Sequence, residues 1–473
     1  MFPELDTSNI GQNEARLHLG ASPHYSSWPL LAQATRSART MGRYLDLVSG
    51  NLPFGFGAPD SGGNGFDMSS LGAALQQLGQ MMQNPSSGPV NWPIVREIAR
   101  KTLTSAGDRV IADAQQRAVV ESMRLADLWL DEATAFPAVA SPPRAWSRSE
   151  WFEATLPMWQ RYIEPIAIQM QQVLSDSMPE GEELSPDELT AALPEQLRGM
   201  FPGGVPAEMA AMLRPMMGMV QQLGAAAFSM QLGQSLAALA QEVVGAGDIG
   251  IPLTAEATCA LLPNNIDLIG EGIGVSADDV RLYLALRESA HQRLFAHVGW
   301  LRPRLIGAIE EYAGGIRVDS SRLGEAMDGV DLSNPEALQE LLASGLLQPA
   351  DTDEQRAALA RLETLLALVE GWVDDVVDIA IANRMPSAVA LRETMRRRRA
   401  AGGPAEKMFS TLVGMELRPR SLREAATLFA AVRSMGSLDD RDALWGHPDL
   451  LPGADDLKDP LGFIERSNEP DVG

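Results

Sequence analysis

YLALRESAHQRLFAHVGWLR, residues 283–302, is the stretch that most directly indicates the fold of this chain. Its apolar residues recur three and four positions apart, which is the spacing of one face of an α-helix. The same stretch carries Arg287, Glu288 and His291. Because side chains four positions apart lie on one face of a helix, Arg287 and His291 are expected to share a face. What that face contacts decides what the protein can do.

The remaining sequence predicts a mainly α-helical protein with few short strands. Ser147 and Glu150 have the spacing of a capping box that begins a helix, and Ser276 is a polar N-cap for the helix through residues 283–302. Thr258–Leu262 is the best strand candidate. Helical patterns cover most of 90–172, and further helices are predicted at 303–314, 335–346, 353–382, 386–400, 404–414 and 420–435.

Composition divides the chain into five segments. They are an N-terminal extension (1–50), a flexible Gly-, Pro- and Met-rich linker (51–89), an N-terminal helical region (90–249), a domain that contains the opening stretch (250–460) and a disordered tail (461–473). The helical region includes an acidic, Met-rich piece that is either a movable lid or a loop followed by a core helix. The whole N-terminal helical region is expected to pack over the following domain and to form a cleft with it.

Charge and cysteine content exclude several classes of protein. The 473 residues carry a formal net charge of −24, which repels a nucleic-acid backbone or an anionic membrane. Cys259 is the single cysteine, so the chain has no intrachain disulfide and no thiolate zinc cluster. The N-terminus shows no secretory pattern, and glutamines interrupt the most apolar window, 216–245. We therefore expect a cytoplasmic protein without membrane or nucleic-acid partners.

Residues 287–291 read R-E-S-A-H, one letter away from the H-E-x-x-H pattern of zinc peptidases. In that pattern two histidines one turn apart bind the metal, and the glutamate between them acts as general base on a bound water. Glu288 and His291 keep two of these positions. Arg287 stands at the third, and a guanidinium has no lone pair for zinc and repels it by its charge.

A second predicted helix carries Glu370, Asp374 and Asp378 at a spacing of four. It lies in the stretch LLALVEGWVDDVVDIAIANRMP, residues 365–386. Such a row of carboxylates on an otherwise apolar helix is costly to bury without positive partners. A cation or a metal is therefore expected to face it.

Several segments together resemble the zincin-like proteins of high-GC bacteria, which are described as hydrolases or zinc-dependent metalloproteases. A sister branch is associated with deazaflavin coenzyme biosynthesis. The resemblance runs from about Pro53 to Pro460 and is carried by PFGFG, FDMSSLG, GPVNW, PPRAWSRSEWFEATLP, YLALRESAHQRLFAHVGWLR, EEYAGGI, LVEGWVDDVVD and MELRPRSLREAATLFAAV. It implies a zincin-like helical metallopeptidase architecture, with 250–460 as the zincin-like domain.

The resemblance also implies roles for individual residues. In the sister branch the full H-E-x-x-H and a later E-G-x-x-D bind zinc, which maps metal ligands onto His291 and Glu370. The catalytic carboxylate maps onto Glu288, and a supporting role behind the ligands maps onto Asp374. This sequence departs from the pattern at Arg287, where a buried charge pair with Glu370 and Asp374 would balance the carboxylates without zinc.

Two functions from different classes follow. The first is a metal-dependent hydrolase, a zinc metallopeptidase with a degenerate motif, acting on peptides. His297 could complete its ligand set with His291 and Glu370 if the helix ends or bends near Gly299. The second is a catalytically inactive pseudo-enzyme that binds a peptide or protein in the retained cleft.

One further motif has two interpretations. MRRRRAAGG, residues 395–403, is either an anion-binding patch or a solvated helix end whose arginines suit the helix dipole. No P-loop, dinucleotide fingerprint or serine-hydrolase elbow is found, so nucleotide and serine-hydrolase chemistry are not indicated.

Overall fold

Helices make up most of the chain in the computed structural model. The structure describes residues 88–176, 207–270, 274–316, 352–400, 406, 408–409 and 421–468. The helices are α1 (Trp92–Ser105), α2 (Asp113–Leu130), α3 (Arg148–Asp176), α4 (Ala207–Glu242), α5 (Pro263–Gly270), α6 (Ala277–His297), α7 (Leu301–Gly314), α8 (Asp353–Ile381), α9 (Ala388–Ala400), α10 (Leu422–Met435), α11 (Leu438–Ala443) and α12 (Pro460–Asn468). Three short 3₁₀ turns lie between α11 and α12, at Leu444–Gly446, Pro448–Leu450 and Asp456–Lys458.

The strands are few and short, as the sequence predicted. In the described residues the strands are β1 (Arg144–Ala145) and β2 (Ala260–Leu261), which pair in parallel with Arg144 opposite Ala260. The mainly α-helical fold class is therefore confirmed. The predicted helices at 335–346 and, apart from residues 406, 408 and 409, at 404–414 lie outside the described residues.

Polar caps set the helix starts that the sequence indicated. The Ser276 side chain accepts a hydrogen bond from the Asp279 N–H at 3.1 Å, which begins α6. Before α3, the Ser147 N–H donates to Glu150 Oε2 at 2.7 Å, and the Glu150 N–H donates back to Ser147 Oγ at 3.2 Å. This reciprocal pair is the predicted capping box.

Helices α6 and α8 form the centre of the fold. Every residue from Tyr283 to Phe295 in α6 is buried, and so is every residue from Leu365 to Val373 in α8. A helix buried on all sides needs neighbours all around it. Helix α2 and the strand β2 pack on α6, α7 and α10 pack on α8, and α6 and α8 pack on each other. The central pair holds the titratable residues of both sequence motifs.

The remaining helices form an outer layer. Helix α1 packs along α4, and α3 packs on α7 and α4. Helix α4 includes most of the apolar window 216–245, for which the sequence predicted a helix that does not cross a membrane. Within the described residues, no helix combines the length and apolar character that a membrane crossing needs.

The described residues belong to one compact unit, Ser86–Gly473. Helix α2 packs on α6 across the predicted boundary near residue 250, which stays a prediction. The extension (1–50), nearly all of the linker and the residues 177–206 of the expected loop or lid lie outside the described residues. The tail was expected to be disordered from residue 461, but α12 extends through it to Asn468, because Phe463 and Ile464 are buried against the core.

Candidate functional site

Helix α6 places three charged or polar side chains of the motif in the protein interior. Arg287, Glu288 and His291 are 5%, 3% and 1% exposed. Arg287 and His291 lie one turn apart and contact α8, whereas Glu288 contacts backbone that precedes and includes β2. The helix therefore divides the motif between two environments.

The Arg287 guanidinium bridges two carboxylates of α8. Its NH2 donates to Glu370 Oε2 at 2.6 Å, and its NH1 donates to Asp374 Oδ1. The carboxylates are four residues apart on α8, so one planar guanidinium reaches both from the facing helix. The juxtaposition of residues 287, 370 and 374 that the two sequence motifs suggested is present.

His291 joins the same group through Glu370. Its Nε2 lies 2.9 Å from Glu370 Oε1, and its Nδ1 lies 2.8 Å from the Arg287 carbonyl oxygen. Both neighbours are acceptors, so both contacts are hydrogen bonds when each ring nitrogen carries a hydrogen. We name Arg287, His291, Glu370 and Asp374 the Arg287 cluster.

A second arginine supports the cluster from α9. Arg396 NH2 lies 3.3 Å from Asp374 Oδ2, the oxygen that Arg287 does not contact. Burial alone would raise the pKa of Asp374, but the charges of Arg287 and Arg396 outweigh it and lower that pKa below the ordinary value. Asp374 is therefore held as a carboxylate.

Glu288 lies in a different, less polar environment. Its Oε2 accepts a hydrogen bond from the Gly247 N–H at 2.8 Å, and its Oε1 accepts one from Gln292 Nε2 at 3.0 Å. Burial raises the pKa of Glu288 to about 8, although these donors favour the charged form. No cation contacts it in the described residues. Its carboxyl group accepts hydrogen bonds from the backbone and does not face an open site.

The backbone that covers this region is the glycine segment, residues 245–250 (GAGDIG). A Cβ built on Gly247 would lie 2.9 Å from His291 Cβ. One built on Gly250, whose φ is +78°, would lie 2.9 Å from Glu370 Oε1. The segment thus lies directly against the buried side chains, and a side chain at position 247 or 250 would collide with them.

A salt bridge fastens the glycine segment to α9. Arg398 NH1 lies 2.9 Å from Asp248 Oδ2, and the Asp248 side chain is itself almost fully buried. The same carboxylate accepts a hydrogen bond from the Val244 N–H at 3.1 Å. Helix α9 therefore contacts the Arg287 cluster through Arg396 and the glycine segment that covers it through Arg398.

The donor groups do not fit the zinc site that the resemblance implies. A zinc ligand must offer a lone pair, but Arg287 offers none and both nitrogens of His291 face acceptors. Glu370 has its two carboxylate oxygens engaged by Arg287 and His291. In the part of the chain that the structure describes, no group of three or more His, Cys, Asp or Glu side chains is arranged to hold a metal ion.

Two other predicted site residues lie away from the cluster. His297, the expected third ligand, is exposed, and its Nε2 donates to the Pro137 carbonyl at 3.0 Å. It lies six residues beyond His291 on an unbroken helix, about a third of a turn off its face. Asp378 pairs with Arg392 of α9 at 2.6 Å, and burial raises the pKa of Asp378 to about 6.

Sequence reasoning missed the part that α9 plays. The arginine run was interpreted as an anion patch or a solvated helix end, yet two of its members, Arg396 and Arg398, form ion pairs toward the interior. Arg392 and Arg396 are four residues apart, and so are their partners Asp378 and Asp374. The equal spacing of these two rows of opposite charge was the sequence signal that could have predicted the contact between α9 and α8.

Comparisons with known proteins give a family and a fold. A family model described as "Zincin-like metallopeptidase" matches residues 90–464. No curated protein matches the chain. Among solved structures, the chain is similar to a "putative hydrolase with a novel fold" from Chloroflexus aurantiacus, with a TM-score of 0.52 and 17% sequence identity. The match covers 80% of this chain and 99% of that protein, and at this identity it shows a shared fold.

Proposed function

The chain belongs to the zincin-like metallopeptidase family, and we propose that within this family it is a pseudo-zincin. By this we mean a protein that keeps the two central helices, carries a guanidinium in place of the metal and binds a peptide or protein instead of cutting it with zinc. A cytoplasmic location, and partners that are neither nucleic acid nor membrane, remain part of the proposal and rest on sequence and charge alone.

One observation carries the proposal: Arg287 contacts Glu370 and Asp374 together in the protein interior. A charge-assisted fork of this kind satisfies both carboxylates, and losing the cation would leave them buried without a partner. Zinc would add two positive charges beside Arg287, which cannot lose its own. The covering glycine segment also leaves Glu288 without contact to an open site.

The alternative is a metal-dependent hydrolase that acts on peptides, with Glu288 as general base and His291 and Glu370 as ligands. Family membership and the retained Glu288 and His291 favour it. It requires Arg287 to leave Glu370 and the glycine segment to move off His291. Since both contacts lie in the core, this alternative needs a rearrangement that the pseudo-zincin does not.

Zinc content separates the two functions. We expect the native protein, purified without chelator, supplied with zinc and then dialysed, to retain zinc well below one equivalent by elemental analysis. Arg287→His restores the missing ligand beside Glu288, so this variant should retain more zinc than the native chain. The added His291→Ala change should abolish that gain.

A stoichiometric metal in the native protein that is lost on His291→Ala would overturn the pseudo-zincin. His297→Ala is the matched control, because His297 is exposed and contacts Pro137. This substitution should leave the zinc content of every variant unchanged.

A further inference from the structure

The C-terminal end of α6 borders an open cavity that is separate from the Arg287 cluster. The cavity has a volume of about 640 Å³. Its lining comes from three places in the chain: the loop after α2, the junction between α6 and α7, and the region of α11. The lining residues that matter here are Phe136, His297, Trp300, Asp439, Asp442 and Trp445. We name this space the aromatic cavity.

Two stacked pairs of rings line the aromatic cavity. Phe136 stacks on His297 with ring centroids 6.0 Å apart and an angle of 16° between the planes. Trp300 stacks on Trp445 at 6.1 Å and 24°. The face of an aromatic ring carries negative electrostatic potential and attracts organic cations. Trp445 is buried and stacks on both Trp300 and Phe429. The partly exposed rings of Phe136 and Trp300 are therefore the ones that favour a ligand that is cationic and partly apolar.

Asp439 adds a negative charge to the lining. Its side chain is exposed, and it forms no ion pair in the part of the chain that the structure describes. Asp442, the other acidic lining residue, is occupied: its Oδ2 accepts from Thr134 Oγ1 at 2.6 Å and its Oδ1 accepts from Trp372 Nε1 at 2.8 Å. Asp439 is thus the carboxylate that a cation in the cavity would meet.

Partly buried hydrogen bonds hold the lining in place. Asp442 also accepts from the Ala135 N–H at 2.8 Å, which ties the loop beside Phe136 to α11. Trp300 Nε1 donates to the Trp445 carbonyl at 2.9 Å, which ties the start of α7 to the turn after α11. A site whose lining is fixed before binding loses less conformational entropy when a ligand enters.

We propose that the aromatic cavity binds the guanidinium or ammonium group of a basic side chain. The rings would contact the alkyl stem and the face of the cation, and Asp439 would neutralise its charge. The net charge of −24 attracts a basic partner at longer range. That the side chain belongs to a peptide or protein partner rests on the proposed function, whereas the binding of the cation does not.

Calorimetric titration with N-acetyl-argininamide and N-acetyl-lysinamide tests the site. N-acetyl-citrullinamide is the control ligand, because it matches the arginine in shape and lacks the charge. We expect saturable one-site binding of a basic amide, with the citrulline compound weaker by about ten-fold or more. Equal binding of the arginine and citrulline amides, or no saturable binding of either basic amide, would overturn the proposal.

Variants assign the binding to Asp439. Asp439→Asn should weaken binding of the basic amide by about ten-fold. Asp267→Asn removes the same charge from an exposed position on α5 that does not line the cavity, and it should leave binding unchanged. If both variants bind as the native protein does, the assignment to the cavity is wrong. Zinc content of the same samples is measured separately, so a zinc-loaded protein that still binds the amide overturns only the pseudo-zincin.

Discussion

Arg287 is a permanent cation in the core, and the residues around it determine whether the fold tolerates that charge. Substitution by methionine removes the charge and leaves Glu370 and Asp374 without their main partner. Removing one member of a buried ion pair typically costs about 3–5 kcal/mol of unfolding free energy. We expect Arg287→Met to lose an amount in this range, measured by urea unfolding at pH 7.

Arg397→Met is the matched control, because Arg397 pairs with Glu393 along the surface of α9 and its side chain is 79% exposed. Exposed pairs of this kind contribute little. An Arg287→Met protein as stable as this control would show that the cluster does not depend on the guanidinium.

Glu288 makes stability depend on pH. Burial raises its folded-state pKa from an ordinary 4.5 to about 8, so the folded protein holds a proton that the unfolded chain has released. The stabilisation that comes from this proton is fully present below pH 4.5, and the unfolding free energy falls as the pH rises from there toward 8. For this one group, the unfolding free energy falls by at most about 1.4 kcal/mol per pH unit. Glu288→Gln cannot titrate, so its unfolding free energy should fall less steeply than that of the native protein between pH 5 and pH 8.

Unfolding curves at several pH values across this range measure the effect. Glu121→Gln changes an exposed glutamate on α2 and should follow the native slope. Parallel native and Glu288→Gln slopes would show that Glu288 titrates normally in the folded protein.

At the scale of elements, the glycine segment closes the region around residues 287–291. Alanine at position 250 would need a positive φ and would place its Cβ against Glu370. We expect Gly250→Ala to lower the unfolding free energy by about 1–3 kcal/mol. Gly224→Ala is the control: this glycine lies in α4 with open space around it, so alanine should stabilise slightly or have no effect. Chemical denaturation of both variants makes the comparison, and a stable Gly250→Ala protein would mean that the segment is not held against Glu370.

Elements were predictable where periodicity and caps were strong. The helix predicted at 353–382 is α8, Asp353–Ile381, and the helix predicted at 303–314 is α7, Leu301–Gly314. The strand predicted over Thr258–Leu262 is reduced to Ala260–Leu261, because β1 offers it a partner of only two residues. The inward role of α9 was not predictable from its own sequence, since a run of arginines looks the same whether its partners are water or buried carboxylates.

At the scale of the whole molecule, another buried arginine connects distant parts of the chain. Arg441 of α11 is fully buried, and its guanidinium contacts Asp375 of α8 at 2.9 Å and the Ala133 carbonyl at 2.7 Å. Asp375 also pairs with Arg433 of α10 at 2.9 Å. The network joins α8, α10, α11 and the loop after α2, which carries Phe136 of the aromatic cavity. The proposed binding site is therefore built on the same core that holds the Arg287 cluster.

Sequence patterns established that the chain is mainly helical, which helices carry the charged groups, and that Arg287 interrupts a zinc-binding pattern. These properties depend on local spacing, which a helix converts directly into a shared face. Tertiary packing was needed to show that Arg287 bridges Glu370 and Asp374, that residues 245–250 cover them, and that His297 lies at a separate cavity. Such contacts depend on how distant segments pack, and no local pattern records which of several possible partners a buried charge will meet.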